Sequence, residues 1–334
     1  SMKSVTINEE LVNEIAAITS QLSIRKSFYQ RDFLSIAVDR ETKLRGFFAA
    51  VAICHQTHHL KSQKKRIHGW DYLEEGFVRL MREEPDSLTP KKVTQRSVKE
   101  ISCWLASTFS DSGNPEDTTL DRLQERTYLL KDMSNYLVKY FGGEYQKLLA
   151  KTENRLVNGG AGVYEVFPEM EAFKDPLQKK TTFLLKLLQD ADLFSIQDEK
   201  NLYPVMDYHM MRVLLRTGAV EVHDSNLKNK LLNREPLDSD YEIRAACADA
   251  MKTIGLKSGH GILKMNDFYW TMGRSCCAET TLCHYKACVK SPCTFYEVVD
   301  LESHDRCVLQ DVCLGAAKPD YRKLWQPIVQ THFY

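Results

Sequence analysis

Apolar residues recur at helical spacing along almost the whole chain, and this periodicity limits the fold more than any other feature. Residues 8–23, 42–60, 70–82, 93–109, 119–140 and 144–155 each carry it, with few of the strict alternations that a half-buried strand needs. Further helices are expected over 177–190, 207–217 and 239–254. In the last, DSDYEIRAACADAMKTIG sets an Asp or Ser cap before the helix and a glycine just after it. FGG (141–143) and NGGAG (158–162) punctuate the middle, and SDSGNPEDTT (110–119) reads as an exposed loop running into a cap. No internal repeat or low-complexity tract breaks the pattern. The expected class is all-α.

The 334 residues are enough for a substantial core. No apolar run approaches the roughly 18 residues of a membrane span. The opening SMKSVTINEELV has no hydrophobic signal core, which predicts a cytoplasmic address. Lys and Arg number 45, as do Asp and Glu, so the net charge is zero. That excludes a protein that coats nucleic acid by charge alone. The charge is uneven, with basic clusters at 61–68 and 174–180 and an acidic one at 82–86. Such clusters suit either a phosphate-gripping face or an ordinary solvated surface.

Cysteine usage is lopsided. Cys54, Cys103 and Cys247 are scattered, while Cys276, Cys277, Cys283, Cys288, Cys293, Cys307 and Cys313 crowd the C-terminal region. In a cytosolic chain such crowding points to a metal rather than to disulfides, although buried thiols also serve as small hydrophobes. Two parts are therefore expected: a helical domain over 1–272 and a Cys-rich metal lobe over 273–334. The best ligand candidates are Cys283, Cys288, Cys293, Cys307 and Cys313. Iron–sulfur and tetrahedral zinc both suit thiolates at these spacings. His55 and His59, four apart on one helix face, make a weaker pair.

The stretch YPVMDYHMMRVLLRTG (203–218) carries the chemistry. Met206, Met210, Val213 and Leu214 share one helical face and belong in the core. Asp207 then stands at the helix start, where backbone N–H groups and the positive end of the dipole favour a carboxylate. It reads as a plain helix cap. It also reads as the fixed anion that N-glycosidic cleavage needs, because the sugar gains oxocarbenium character as its bond to the base breaks.

Pro204–Val205, Asp207–Tyr208–His209, Arg212 and the RTG that follows resemble the Pro-Val-Asp-x-His-x-x-Arg-x-x-x-Arg-x-Gly stretch of helix-hairpin-helix DNA glycosylases. The resemblance implies that Asp207 is the catalytic carboxylate, with His209 and Arg212 near the substrate. PLQKKTTFLLKLL (176–188) is similar to the Lys-x-x-x-Phe-x-x-Lys helix of the archaeal 8-oxoguanine glycosylase branch, which implies a Schiff-base lysine. Lys180 is the choice, with Lys179 and Lys186 as competitors. CHQTHHLKSQKKRIHGWDYLEEGF (54–77) resembles the Gln-containing helix and aromatic turn of that branch and suggests Gln56 as a base reader. No Gly-x-Gly hairpin precedes the Asp207 helix, a departure from that superfamily. The terminal Cys-x6-Cys-x2-Cys-x5-Cys cluster of several such enzymes is matched in part by Cys276-x6-Cys283 and Cys307-x5-Cys313, with His304 and Cys307 offered as the middle pair.

A second resemblance is to queuosine salvage proteins, nucleoside hydrolases on a related all-helical core. It rests on residues 207–251, above all YEIRAA (241–246), with His209 where those proteins have Arg. Glu242 and Arg244 read otherwise as an exposed ion pair. A base drawn into a pocket needs aromatic faces, and Trp70, Tyr72 and Trp270 are available.

The leading expectation is a helix-hairpin-helix DNA glycosylase, a monomer that removes a modified base from double-stranded DNA. In a bacterium it would be nucleoid-associated, in a eukaryote nuclear. Whether it adds a lyase step through Lys180 stays open. The alternatives are a queuosine-type N-glycosidase acting on a free nucleoside or nucleotide, and an inactive nucleic-acid-binding relative.

Overall fold

The computed structural model describes residues 3–25, 31–288, 293–303 and 305–334. In chain order its principal helices are α1 (Glu9–Ser20), α2 (Arg40–Ala52), α3 (Trp70–Glu83), α4 (Val98–Thr108), α5 (Leu123–Phe141), α6 (Tyr145–Thr152), α7 (Lys179–Asp190), α8 (Tyr208–Thr217), α9 (Tyr241–Ser258) and α10 (Ile262–Arg274). Strands are few and short: β1 (Val5–Ile7), β2 (Lys61–Ser62), β3 (Ile67–His68) and β4 (Val220–Val222). β1 pairs antiparallel with β4, Val5 opposite Val222, and β2 pairs with β3. The protein is mostly helical, as its periodicity predicts.

Helix ends are set by individual side chains. The run expected over 93–109 divides into Pro90–Gln95 and α4, because Arg96 is extended and the Ser97 hydroxyl accepts from the Glu100 N–H at 3.1 Å. α5 stops at FGG: Gly142 adopts φ 61°, and the Gly143 N–H bonds back to the Leu137 carbonyl at 2.8 Å. The run expected over 42–60 ends at Ala52, and its last carbonyls are taken up by cations from elsewhere. Lys180 donates to the Ala52 carbonyl at 2.7 Å. Arg126 donates to those of Ile53 and His55, each at 2.7 Å. Both cations are buried, and both compensate carbonyls that a helix terminus leaves without partners.

The chain divides into two compact units. One comprises Tyr29–Leu202 with Thr331–Tyr334. Its core includes Phe48 against Tyr145, Phe167 and Phe173, and Phe33 stacked on Phe47 at 4.1 Å. The other comprises Ser1–Phe28 with Tyr203–Gln330. There α1 packs on α9, and α8 packs on α10 and α9. Met206, Met210, Val213 and Leu214 are all buried, as their shared face predicts.

The boundary expected at 272–273 does not coincide with this division, because residues 273–330 lie in the same unit as α8. The reason is two buried arginines of α8. Arg216 donates to the carbonyls of Leu324, Cys277 and Ala278 at 3.0, 3.2 and 2.7 Å. Arg212 reaches the Cys277 carbonyl at 3.1 Å and the Gln326 side chain at 2.7 Å. The cysteine-bearing segment is thereby tied to α8.

Candidate active site

Asp207 is the N-cap of α8, with extended backbone. Its Oδ1 accepts from the Met210 N–H at 3.2 Å, and the side chain is buried. The cap is therefore real, and it fixes a carboxylate at the end of the helix that favours negative charge. The peptide before it is fixed as well. Arg244 of α9 is buried and donates to the Met206 carbonyl through Nε at 3.2 Å and Nη2 at 3.1 Å. Glu242 is exposed, so the ion pair expected at this helix start gives way to an inward-facing arginine. YEIRAA is where its signal lay in the sequence.

Aromatic rings follow Asp207. The rings of Tyr208 and His209 lie 4.2 Å apart, and His209 meets Trp270 edge-on at 6.4 Å. The Arg274 guanidinium stacks over Trp270 at 4.5 Å. Burial, then the neighbouring Asp207 carboxylate, pushes the Tyr208 phenol up to about 12, so it stays neutral at physiological pH. Close approach of α10 to α8 depends on Gly273, where a Cβ would fall 2.9 Å from the Cβ of His209 and 3.0 Å from its carbonyl oxygen. Arg212 steadies the same region, with Nη2 3.3 Å from His209 Nδ1 and 2.5 Å from the Gly273 carbonyl. Burial lowers this guanidinium to about 10. Asp207, His209, Arg212 and Trp270 thus come together in one unit. Arg212 reaches backbone there more than open space.

Lys180, Gln56 and Trp70 belong to the other unit. Lys180 is fully buried, donating to the Ala52 carbonyl and lying 3.0 Å from His55 Nδ1. Desolvation lowers its amine to about 7. His55, also fully buried, pairs through Nε2 with Glu125 at 2.8 Å, and burial holds its pKa well below the usual range. Glu125 pairs with Arg122, whose Nη1 donates to Gln56 Oε1 at 2.6 Å. Gln56 also accepts from the Thr331 N–H at 3.3 Å. A single network therefore joins Lys180 to Gln56. A nucleophilic amine must meet substrate, and this one is covered on every side. His59 is exposed, so it does not share the buried surroundings of His55. Trp70 donates to Glu74 at 2.8 Å and meets Phe183 and Phe33 edge-on, while Tyr72 is core. Burial raises the Glu74 carboxyl to about 7.

All ten cysteines are free thiols. Burial raises Cys276, and Cys307, Cys293, Cys288 and Cys277 lie close enough to raise it further. Burial pushes Cys307 up to about 12, with Cys277, Cys313 and Cys283 as its neighbours. Cys313 is pushed up to about 11, again by burial first. His304 lies outside the described residues. Among the described residues no three His, Cys, Asp or Glu side chains stand as a ready metal-binding group, and no helix is long and apolar enough to cross a membrane.

The fold and this site define a helical protein with a buried carboxylate at a helix N-terminus beside a ladder of aromatic rings. The family model for queuosine salvage proteins matches residues 47–262, well over half of the chain. The chain belongs to that family. Nothing in the match supports a helix-hairpin-helix DNA glycosylase, a double-stranded DNA substrate or a lyase step. Among curated proteins none matches the chain.

Proposed function

We propose that the protein hydrolyses the N-glycosidic bond of a free queuosine-type nucleoside or nucleotide. The observation that carries this reading is the position of Asp207, a buried cap of α8 inside the span matched by the family. As the bond to the base lengthens, positive charge gathers on the sugar. A carboxylate already fixed by its own helix stabilises that charge without reorganising. Water then delivers hydroxide to the sugar C1′, and its proton goes to the departing base.

His209 and Trp270 offer ring surface for a flat base, with Arg274 behind Trp270. Arg212 acts as a positioning residue in this reading, holding His209 and the Gly273 turn. Lys180 takes no covalent part, and its amine closes the end of α2. Gln56 and Trp70 serve the other unit's interior.

The test is a substrate panel scored for released base: a queuosine-type nucleoside, its 5′-monophosphate, and duplex DNA carrying modified bases. Release from either small molecule and none from duplex is the expected result. Release only from duplex would restore the DNA reading. Binding without release in every arm would mark an inactive relative.

A further inference from the structure

We propose that Cys54 and Lys179 form an oxidation-sensitive pair, in which peroxide converts the thiol to a sulfenic acid and the lysine amine closes on its sulfur. The Lys179 Nζ lies 3.9 Å from the Cys54 Sγ, across 125 residues of chain. Both side chains are interior, 8 % and 9 % exposed. The reaction assigned to Asp207 uses neither of them.

The contact has no ordinary structural explanation. A buried ammonium is normally held by carboxylates or carbonyl oxygens. Among the described residues the Lys179 amine meets a sulfur, which is a weak acceptor, and the face of Phe183 at 5.2 Å. Its neighbour Lys180 shows the usual arrangement, donating to the Ala52 carbonyl at 2.7 Å. The same amine lies 3.0 Å from His55 Nδ1, so Lys180 grips the chain on either side of Cys54. Asp175 Oδ2 accepts from the Lys179 N–H at 2.9 Å and fixes the other member. The two reactive atoms are held side by side through bonds that neither of them makes.

Their chemistry follows from that placement. A thiol gives two electrons to the O–O bond of peroxide, leaving a sulfenic acid and one water. Sulfenic acids condense with a neighbouring thiol or nitrogen. Here the neighbour is the Lys179 nitrogen, which forms an S–N bond as the S–O bond breaks. One ammonium proton leaves with the hydroxyl as water, and a second goes to solvent. The flexible stem of the lysine lets its amine close the remaining distance. Cys277 has no such route, because the cation 3.5 Å from its sulfur is the Arg216 guanidinium, which stays protonated. The closed pair ties the start of α7 to the segment after α2, a cross-link that restrains the unfolded chain.

The experiment treats the full chain with hydrogen peroxide, blocks remaining thiols with iodoacetamide and maps the digest by mass spectrometry. A peptide joining Cys54 to Lys179 should appear, two hydrogens lighter than its two parts, and dithiothreitol should release it. The unfolding midpoint of the treated protein should rise. Cys54→Ser and Lys179→Arg should each abolish the cross-link, while Cys103→Ser should retain it. In Lys179→Arg, dimedone should capture Cys54 as the sulfenic acid that the amine no longer consumes. If that variant does not fold, the peptide map of the unaltered chain decides alone. A Cys54 peptide left unoxidised by peroxide would overturn the pair. So would oxidised Cys54 beside a free Lys179 amine, or a cross-link that runs to Lys180 instead.

Discussion

Arg244 places two of its nitrogens on one oxygen, the Met206 carbonyl, at 3.2 and 3.1 Å. The next residue is Asp207, so this contact fixes the peptide from which the carboxylate projects. An ammonium cannot reproduce a two-nitrogen grip. Arg244→Lys should therefore lower kcat about tenfold, equivalent to about 1.4 kcal/mol. KM should stay nearly constant, because the substitution moves the carboxylate rather than a binding face. Steady-state kinetics check this, and a change confined to KM would refute the positioning role.

Gly273 lies where α10 meets His209. An added methyl would sit 2.9 Å from the His209 Cβ and 3.0 Å from its carbonyl oxygen. One of these contacts is backbone, so the helices must part. Gly273→Ala should destabilise the fold by about 1–3 kcal/mol. Denaturant midpoints read the loss directly, and an unchanged midpoint would mean that α8 and α10 separate at no cost.

Two buried groups give the stability a pH signature. Glu74, raised by burial from 4.5 to about 7, keeps its proton longer in the folded chain. Its contribution is present below pH 4.5 and is lost as pH rises to about 7. Lys180, lowered by burial from 10.5 to about 7, gives up its proton sooner when folded. Its contribution grows as pH rises from about 7 to 10.5. Together they place a shallow minimum near pH 7. Glu74→Gln should remove the acid-side slope and Lys180→Met the alkaline-side slope, measured as unfolding free energy against pH. Slopes unaltered by these substitutions would show that other groups set the profile.

Local signals were the legible ones. The helical runs follow from spacing, and the Asp207 cap follows from a residue type beside its helix. What the sequence hid depends on long-range partners. Arg126 and Lys180 end α2 from positions over 70 residues away, so nothing near Ala52 announces the stop. Arg244 reads as a surface charge until α9 is turned to face Met206. Arg212 and Arg216 look like substrate or surface cations, yet they bind the backbone of 273–278 and 324. Those bonds also explain why the cysteine segment packs with α8 instead of standing apart. Gln56 and Trp70 resembled base readers by position, and only the folded interior shows Arg122 and Glu74 as their partners.

Asp207→Asn tests the central claim most directly. The amide oxygen can still accept from the Met210 N–H, so α8 keeps its cap and loses only the negative charge. With a queuosine-type nucleoside and its 5′-monophosphate as substrates, base release should fall roughly 10²–10³-fold. The unfolding midpoint and substrate affinity should remain near those of the unaltered protein. Turnover within a few-fold of the original, by a chain that binds and folds normally, would contradict the account.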